Sequence, residues 1–123
     1  MRALRRTMAE RRAHVRVRPA ADYDVRVELR EGMFAVRLSV ADLSVGGLGL
    51  VVDEMFANKV HGDVLVLQVS LPEGPSFTTK AEVRYTSRVV GGKCGVCWVG
   101  LQGDEQARVS RAVAELLERG HSA

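Results

Sequence analysis

At 123 residues, 46% hydrophobic and 27% charged, the chain is long enough to bury one apolar core and too short for two domains with a core each. Its net charge of +3 hides an asymmetry: residues 1–18 hold seven arginines against one acid, a local +6, while the other 105 residues hold 11 basic and 14 acidic side chains, a local −3. The longest near-apolar runs, Val45 to Val52 and Val64 to Leu67, fall well short of the roughly 20 residues of a membrane helix, and the N-terminus lacks the apolar centre of a secretory signal. The sequence therefore reads as a cytoplasmic protein with no membrane insertion.

The basic arm, residues 1–20, has few apolar side chains to anchor it and reads as flexible, with Pro19 at its junction with the body, residues 21–123. Arg12 and Arg16 stand four apart in it. Guanidinium is planar, always charged and forks two hydrogen bonds, so such a pair can grip phosphates and the flat faces of bases. Arg2 and Arg6 share the spacing but lie farther from the first strand. Apolar and polar residues alternate at Val25, Val27 and Leu29 and again at Phe34, Val36, Leu38 and Val40, which predicts a hairpin turning at Glu31-Gly32. Leu48, Leu50 and Val52 continue the period of two. On this strand-like stretch lies Asp42-Leu-Ser44-Val-Gly46-Gly47, a carboxylate and a hydroxyl two apart running into glycines. That set can read a guanine edge, with no Cβ at the glycines to hold a ligand off.

Further strands are predicted at Val64 to Leu71, at Phe77 to Val90 after the turn Pro72 to Pro75, and at Cys94 to Leu101 after a two-residue turn, Gly91-Gly92. Six or seven short antiparallel strands with tight connections favour a closed, mainly β barrel, which removes exposed edges. The period then changes. Val109, Ala112, Val113, Leu116 and Leu117 lie at helical spacing and predict a C-terminal helix packed on the barrel, with Asp104 as N-cap and Gly120 just beyond the end.

Cys94 and Cys97 form a C-x-x-C pair, but no second pair follows and His14, His61 and His121 are scattered singly, so a zinc site is not supported. Three apart on a strand, the two thiols point to opposite faces. No histidine lies near Ser44 in sequence and no paired catalytic carboxylates stand out, so the chain does not read as an enzyme.

R-x-x-x-R at Arg12 and Arg16 followed by D-x-S-x-x-G at Asp42, Ser44 and Gly47 resembles the signature of the PilZ domain, the bacterial receptor for cyclic di-GMP. The resemblance covers essentially the whole chain from about Glu10, and it implies an antiparallel PilZ-type barrel with a C-terminal helix. It also implies roles. Arg12 and Arg16 would contact the phosphates and guanines; Asp42 would accept from a guanine's ring N–H and amino group; Ser44 would add a hydrogen bond; Gly46 and Gly47 would admit the ligand to the backbone. Arg11, directly ahead of the pair, is where the family tends to carry an arginine when two stacked ligands bind. Tyr85 falls near where some relatives supply an aromatic platform, and it reads equally as a half-buried strand residue. The ligand would be cyclic di-GMP, with no metal and no other cofactor, and the partner an unidentified protein effector such as motility, pilus or exopolysaccharide machinery. Two other readings stand beside this one. One is a PilZ-fold scaffold that binds protein without nucleotide. The other is a small nucleic-acid-binding barrel, which three Phe, two Tyr and one Trp without a cluster supply poorly.

Overall fold

Val27 and Leu29 point into the core while Arg26 and Arg30 point out, and this alternation carries strand β1 (Arg26–Glu31). β1 turns at Gly32 and Met33 into β2 (Phe34–Leu38), one residue later than the expected Glu31-Gly32 turn. The computed structural model describes residues 15–54 and 56–123, so Arg11 and Arg12 lie outside the described residues. β3 (Val40–Ser44) and β4 (Gly47–Val51) form a second hairpin, followed by β5 (Val64–Ser70), β6 (Phe77–Thr86), β7 (Lys93–Val99) and helix α1 (Gly103–Glu118). The strands make one seven-stranded sheet in the order β2-β1-β5-β6-β7-β4-β3, and each neighbouring pair is antiparallel.

The sheet is barrel-like, but its hydrogen-bonded ladder is not closed as expected: β2 and β3 are its two ends. They follow each other in the chain with only Ser39 between, so the run read from Phe34 to Val40 breaks there as its halves take different partners, β1 and β4. The arm covers the open edge of β3. Val17, wholly buried, donates its N–H to Leu43 O (2.9 Å) and accepts from Leu43 N–H (2.8 Å). On its other side the chain end runs alongside, with Arg18 N–H bonded to His121 O (2.7 Å) and Ala123 N–H to Arg16 O (2.9 Å). Val17 is thus tied to the sheet two residues ahead of Pro19. Burial of the Val17 side chain, together with its two backbone hydrogen bonds to Leu43, offsets the entropy lost by fixing the chain there.

β6 ends at Thr86, and residues 87–92 connect it to β7, so the expected two-residue turn at Gly91-Gly92 is not formed. The two glycines instead pair with Val52: its N–H donates to Gly92 O and Gly91 N–H donates to its carbonyl, both at 2.8 Å. β7 stops at Val99, two residues short of Leu101. Helix α1 buries Val109, Ala112, Val113 and Leu116 against the sheet, whereas Leu117 is 46% exposed and does not belong to the packed face. Its N-cap is Gln102, not Asp104, because Glu105 Oε1 accepts the Gln102 N–H at 3.0 Å. Asp104 lies in the first turn, where its charge still favours the helix dipole. Gly120, with φ 81°, follows the end as expected. Arg108 ties the helix to the β5–β6 turn: its Nη2 donates to Glu73 O (2.8 Å) and Pro75 O (2.5 Å), and its guanidinium lies 5.2 Å from the Phe77 ring centroid. Among the described residues no helix is long and apolar enough to cross a membrane.

Candidate functional site

Strand register assembles the site. Leu43, Leu48, Val96 and Val83 stand in one cross-strand row and all point into the core. Paired residues share a face, so the rows on either side of this one point outward. One outward row runs Asp42, Gly49, Gly95, Tyr85; the other runs Ser44, Gly47, Cys97, Glu82. The middle of this surface is nearly bare backbone, rimmed by polar and aromatic side chains.

Two bulges put the rim residues there. Strict alternation from Val40, which packs against the core, would send Asp42 inward; the register shift between Val40 and Asp42 turns it out. In β6, Phe77, Thr79, Ala81 and Val83 are buried in alternation, and Tyr85 would follow them. The shift between Val83 and Tyr85 instead leaves Arg84 and Tyr85 both outside, with Tyr85 46% exposed. Its ring lies over Gly95, where a Cβ would collide with the ring carbons. Gly47 is required for a related reason, since a Cβ there would strike the backbone carbonyl of Val96.

Asp42 is only 3% exposed and both its oxygens are engaged. Arg16 Nη1 donates to Oδ1 at 2.6 Å, and the Lys93 ammonium pairs with Oδ2. A buried carboxylate needs such partners, because desolvation without them is expensive. Arg16 reaches it because Val17, the next residue, is bonded to β3. Ser44 is 1% exposed, and its hydroxyl braces the β3–β4 turn, accepting from Gly47 N–H (3.1 Å) and donating to Gly47 O (3.3 Å). One acceptor lone pair of that hydroxyl remains. An open groove of about 260 Å³ runs over this surface, lined by Arg16, Ser44, Gly46, Gly47, Arg84, Tyr85 and Cys97 among others.

Of the residues singled out in the sequence, the structure brings together Arg16, Asp42, Ser44, Gly46, Gly47 and Tyr85. Arg11 and Arg12 fall outside the described residues. Sequence reasoning missed Lys93, Arg84, Gly49, Gly95 and Cys97. Gly49 and Gly95 alone had a readable signal, a single glycine within a strand, which marks close approach of another group. Cys94 is buried in the core and its thiol is pushed up by that burial, partly countered by a hydrogen bond with Thr86. Cys97 is half-buried on the groove side, so the two thiols do face opposite ways. Among the described residues no group of three or more His, Cys, Asp or Glu could hold a metal. The groove offers a backbone floor, two guanidinium groups, a hydroxyl and an aromatic ring, with the Asp42–Lys93 pair at its border against Arg16, which suits a planar, hydrogen-bonding heterocycle carrying negative charge.

No curated protein matches the chain. Among solved structures it is similar to the inhibitor of motility MotI/DgrA of Bacillus subtilis, at 20% identity and a TM-score of 0.68, over 94% of this chain and 54% of that one. It is also similar to MrkH in the K. pneumonia MrkH–c-di-GMP complex, at 18% identity and a TM-score of 0.68, over 96% of this chain and 55% of that one. The PilZ domain with c-di-GMP of YcgR from Escherichia coli matches at 14% identity and a TM-score of 0.63, over 89% of this chain and 94% of that one. The chain thus spans about half the length of the first two, and at these identities the likeness establishes the fold. The PilZ domain family matches residues 10–115, most of the sequence and both halves of the split motif, and the chain belongs to that family.

Proposed function

We propose that this chain is a cytoplasmic receptor for cyclic di-GMP that acts through a protein partner rather than as an enzyme. The observation that carries the reading is the convergence of Arg16, Ser44 and Tyr85, from two strands and the arm, on one glycine-floored groove, with Asp42 held at its border by Arg16. A guanine base lies in the groove along Gly46 and Gly47 with its edge toward Asp42, which accepts from the ring N–H and the amino group; adenine cannot present that pair of donors. Arg16 turns from Asp42 toward the phosphates, joined by Arg12, and Tyr85 and Arg84 line the opposite wall. Gly46 borders the groove, and Ser44 adds its remaining acceptor. The c-di-GMP carried by the MrkH and YcgR neighbours supports the same ligand. Binding draws the arm onto the groove, and the new surface so formed is what an effector recognises. The Bacillus subtilis neighbour, an inhibitor of motility, indicates one class of effector.

Calorimetric titration with cyclic di-GMP, with cyclic di-AMP and GTP as controls, tests this directly. A charge-assisted contact is worth about 1.5–3 kcal/mol, so Arg16→Ala weakens binding by roughly 10- to 150-fold. Asp42→Ala loses preference for guanine as well as affinity. Absence of heat at saturating cyclic di-GMP would leave the PilZ-fold protein scaffold as the function.

A further inference from the structure

We propose that Lys93 is a positioning residue of this groove: across the bare backbone of Gly49 it holds Asp42 in the orientation in which the carboxylate meets a guanine edge. The inference rests on the cyclic di-GMP reading above. Lys93 stands on β7 and Asp42 on β3, on either side of β4, and their side chains meet over Gly49. A Cβ at Gly49 would fall 2.6 Å from both Asp42 Oδ1 and Lys93 Cε, so a side chain there would displace the pair from its present geometry.

The two cations divide the carboxylate between them. Arg16 takes Oδ1 at 2.6 Å and Lys93 takes Oδ2, which leaves an unused lone pair on each oxygen for the two donors of a guanine. A guanidinium with a carboxylate to itself prefers the bidentate fork, which occupies both oxygens along one edge. Lys93 prevents that capture. It also gives Asp42 a counter-charge of its own: when Arg16 swings to the phosphates, a carboxylate whose side chain is 4% exposed keeps one cationic partner. The Lys93 side chain is 42% exposed, long enough to follow Asp42 and fixed at its root opposite Val51. Its ammonium also offsets the repulsion between Asp42 and a doubly negative ligand.

The test is titration of cyclic di-GMP and of its inosine analogue, which lacks the exocyclic amino groups, into the wild-type chain and three variants, each checked for folding by a thermal melt. Lys93→Met is expected to weaken cyclic di-GMP binding roughly tenfold and to shrink the preference over the inosine analogue. Lys93→Arg restores most of both, because it returns a cation to Oδ2. Gly49→Ala reproduces the Lys93→Met losses with every charge in place. A role confined to fold stability would lower both ligands equally and leave the preference intact, which overturns the proposal. Wild-type binding matched by Lys93→Met for both ligands overturns it too, with the receptor reading still standing. Failure of the wild-type chain to bind either ligand removes the receptor reading and this inference with it. Should Gly49→Ala not fold, the Lys93→Met and Lys93→Arg pair decides.

Discussion

Ala41 and Arg84 are the extra residues of the two bulges, and without them Asp42 and Tyr85 would both point into the core. An inward carboxylate would meet no cation, whereas turned outward Asp42 reaches Arg16 and Lys93, so the β3 bulge builds the site and supplies the partners a buried charge needs. The same outward rows expose Cys97 beside Arg16 and Tyr85 and leave Cys94 wholly buried on the other face. Burial raises the Cys94 thiol pKa and suppresses its thiolate, the reactive form. Iodoacetamide is therefore expected to label Cys97 first and Cys94 only on unfolding, as read by peptide mass spectrometry. Saturating cyclic di-GMP should slow Cys97 labelling. Equal labelling of both thiols in the folded protein would contradict the assigned faces, and a Cys97 rate indifferent to bound ligand would place the ligand elsewhere.

Helix α1 is fastened at its far end by a cluster on Tyr23. The Arg119 guanidinium lies 5.0 Å from the Tyr23 ring centroid and bridges Asp22 (2.7 Å) and Glu115 (2.9 Å). Tyr23 is 8% exposed, and its pKa is raised first by burial, then by the nearby Glu73 and Glu115. The folded state thus favours the neutral phenol. Its contribution is whole below the ordinary tyrosine value of about 10 and is lost as pH rises from there through the raised folded value. Urea midpoints should fall more steeply across that window for the wild type than for Tyr23→Phe, and identical slopes would remove Tyr23 from the account. Local pattern disclosed most elements: the β1–β2 alternation, the helix face at Val109 to Leu116 and the Gly120 stop were all legible. The bulges were not, because a bulge is a mismatch between two strands and neither strand carries it alone. For the same reason Asp42 and Ser44 could be named from their spacing, whereas Lys93 is 51 residues along the chain from Asp42 and nothing near it in sequence marks the pairing. The β6–β7 link was misjudged because Gly91-Gly92 is a strong hairpin signal locally, and the competing partner, Val52, is distant.

At the scale of the whole molecule, charge and flat surfaces bear on how many ligands the groove and arm hold together. The described groove and its border supply Arg16, Arg84 and Lys93, partly offset by Asp42, which binds Arg16 and Lys93, and by Glu82, which binds Arg84 at 2.9 Å. Arg11 and Arg12 in the arm add two more positive charges. Five cations against two carboxylates leave a surplus of three, more than the two phosphates of one cyclic dinucleotide neutralise. Planar groups argue the same way. Arg11, Arg12, Arg16 and Tyr85 offer four faces for stacking, matching the four guanines of two stacked ligands. We therefore propose a stacked pair, with Arg11 serving the outer ligand. Titration is expected to saturate near two ligands per chain. Arg11→Leu should move that endpoint toward one without abolishing binding, since Arg16, Asp42 and the glycine floor still hold the inner ligand. Amide exchange at residues 11–14 should slow on binding, while Val17 and Leu43, whose backbones already bond each other, change little. An endpoint of one ligand in the wild type, unmoved by Arg11→Leu, would keep the receptor and strip Arg11 of its role.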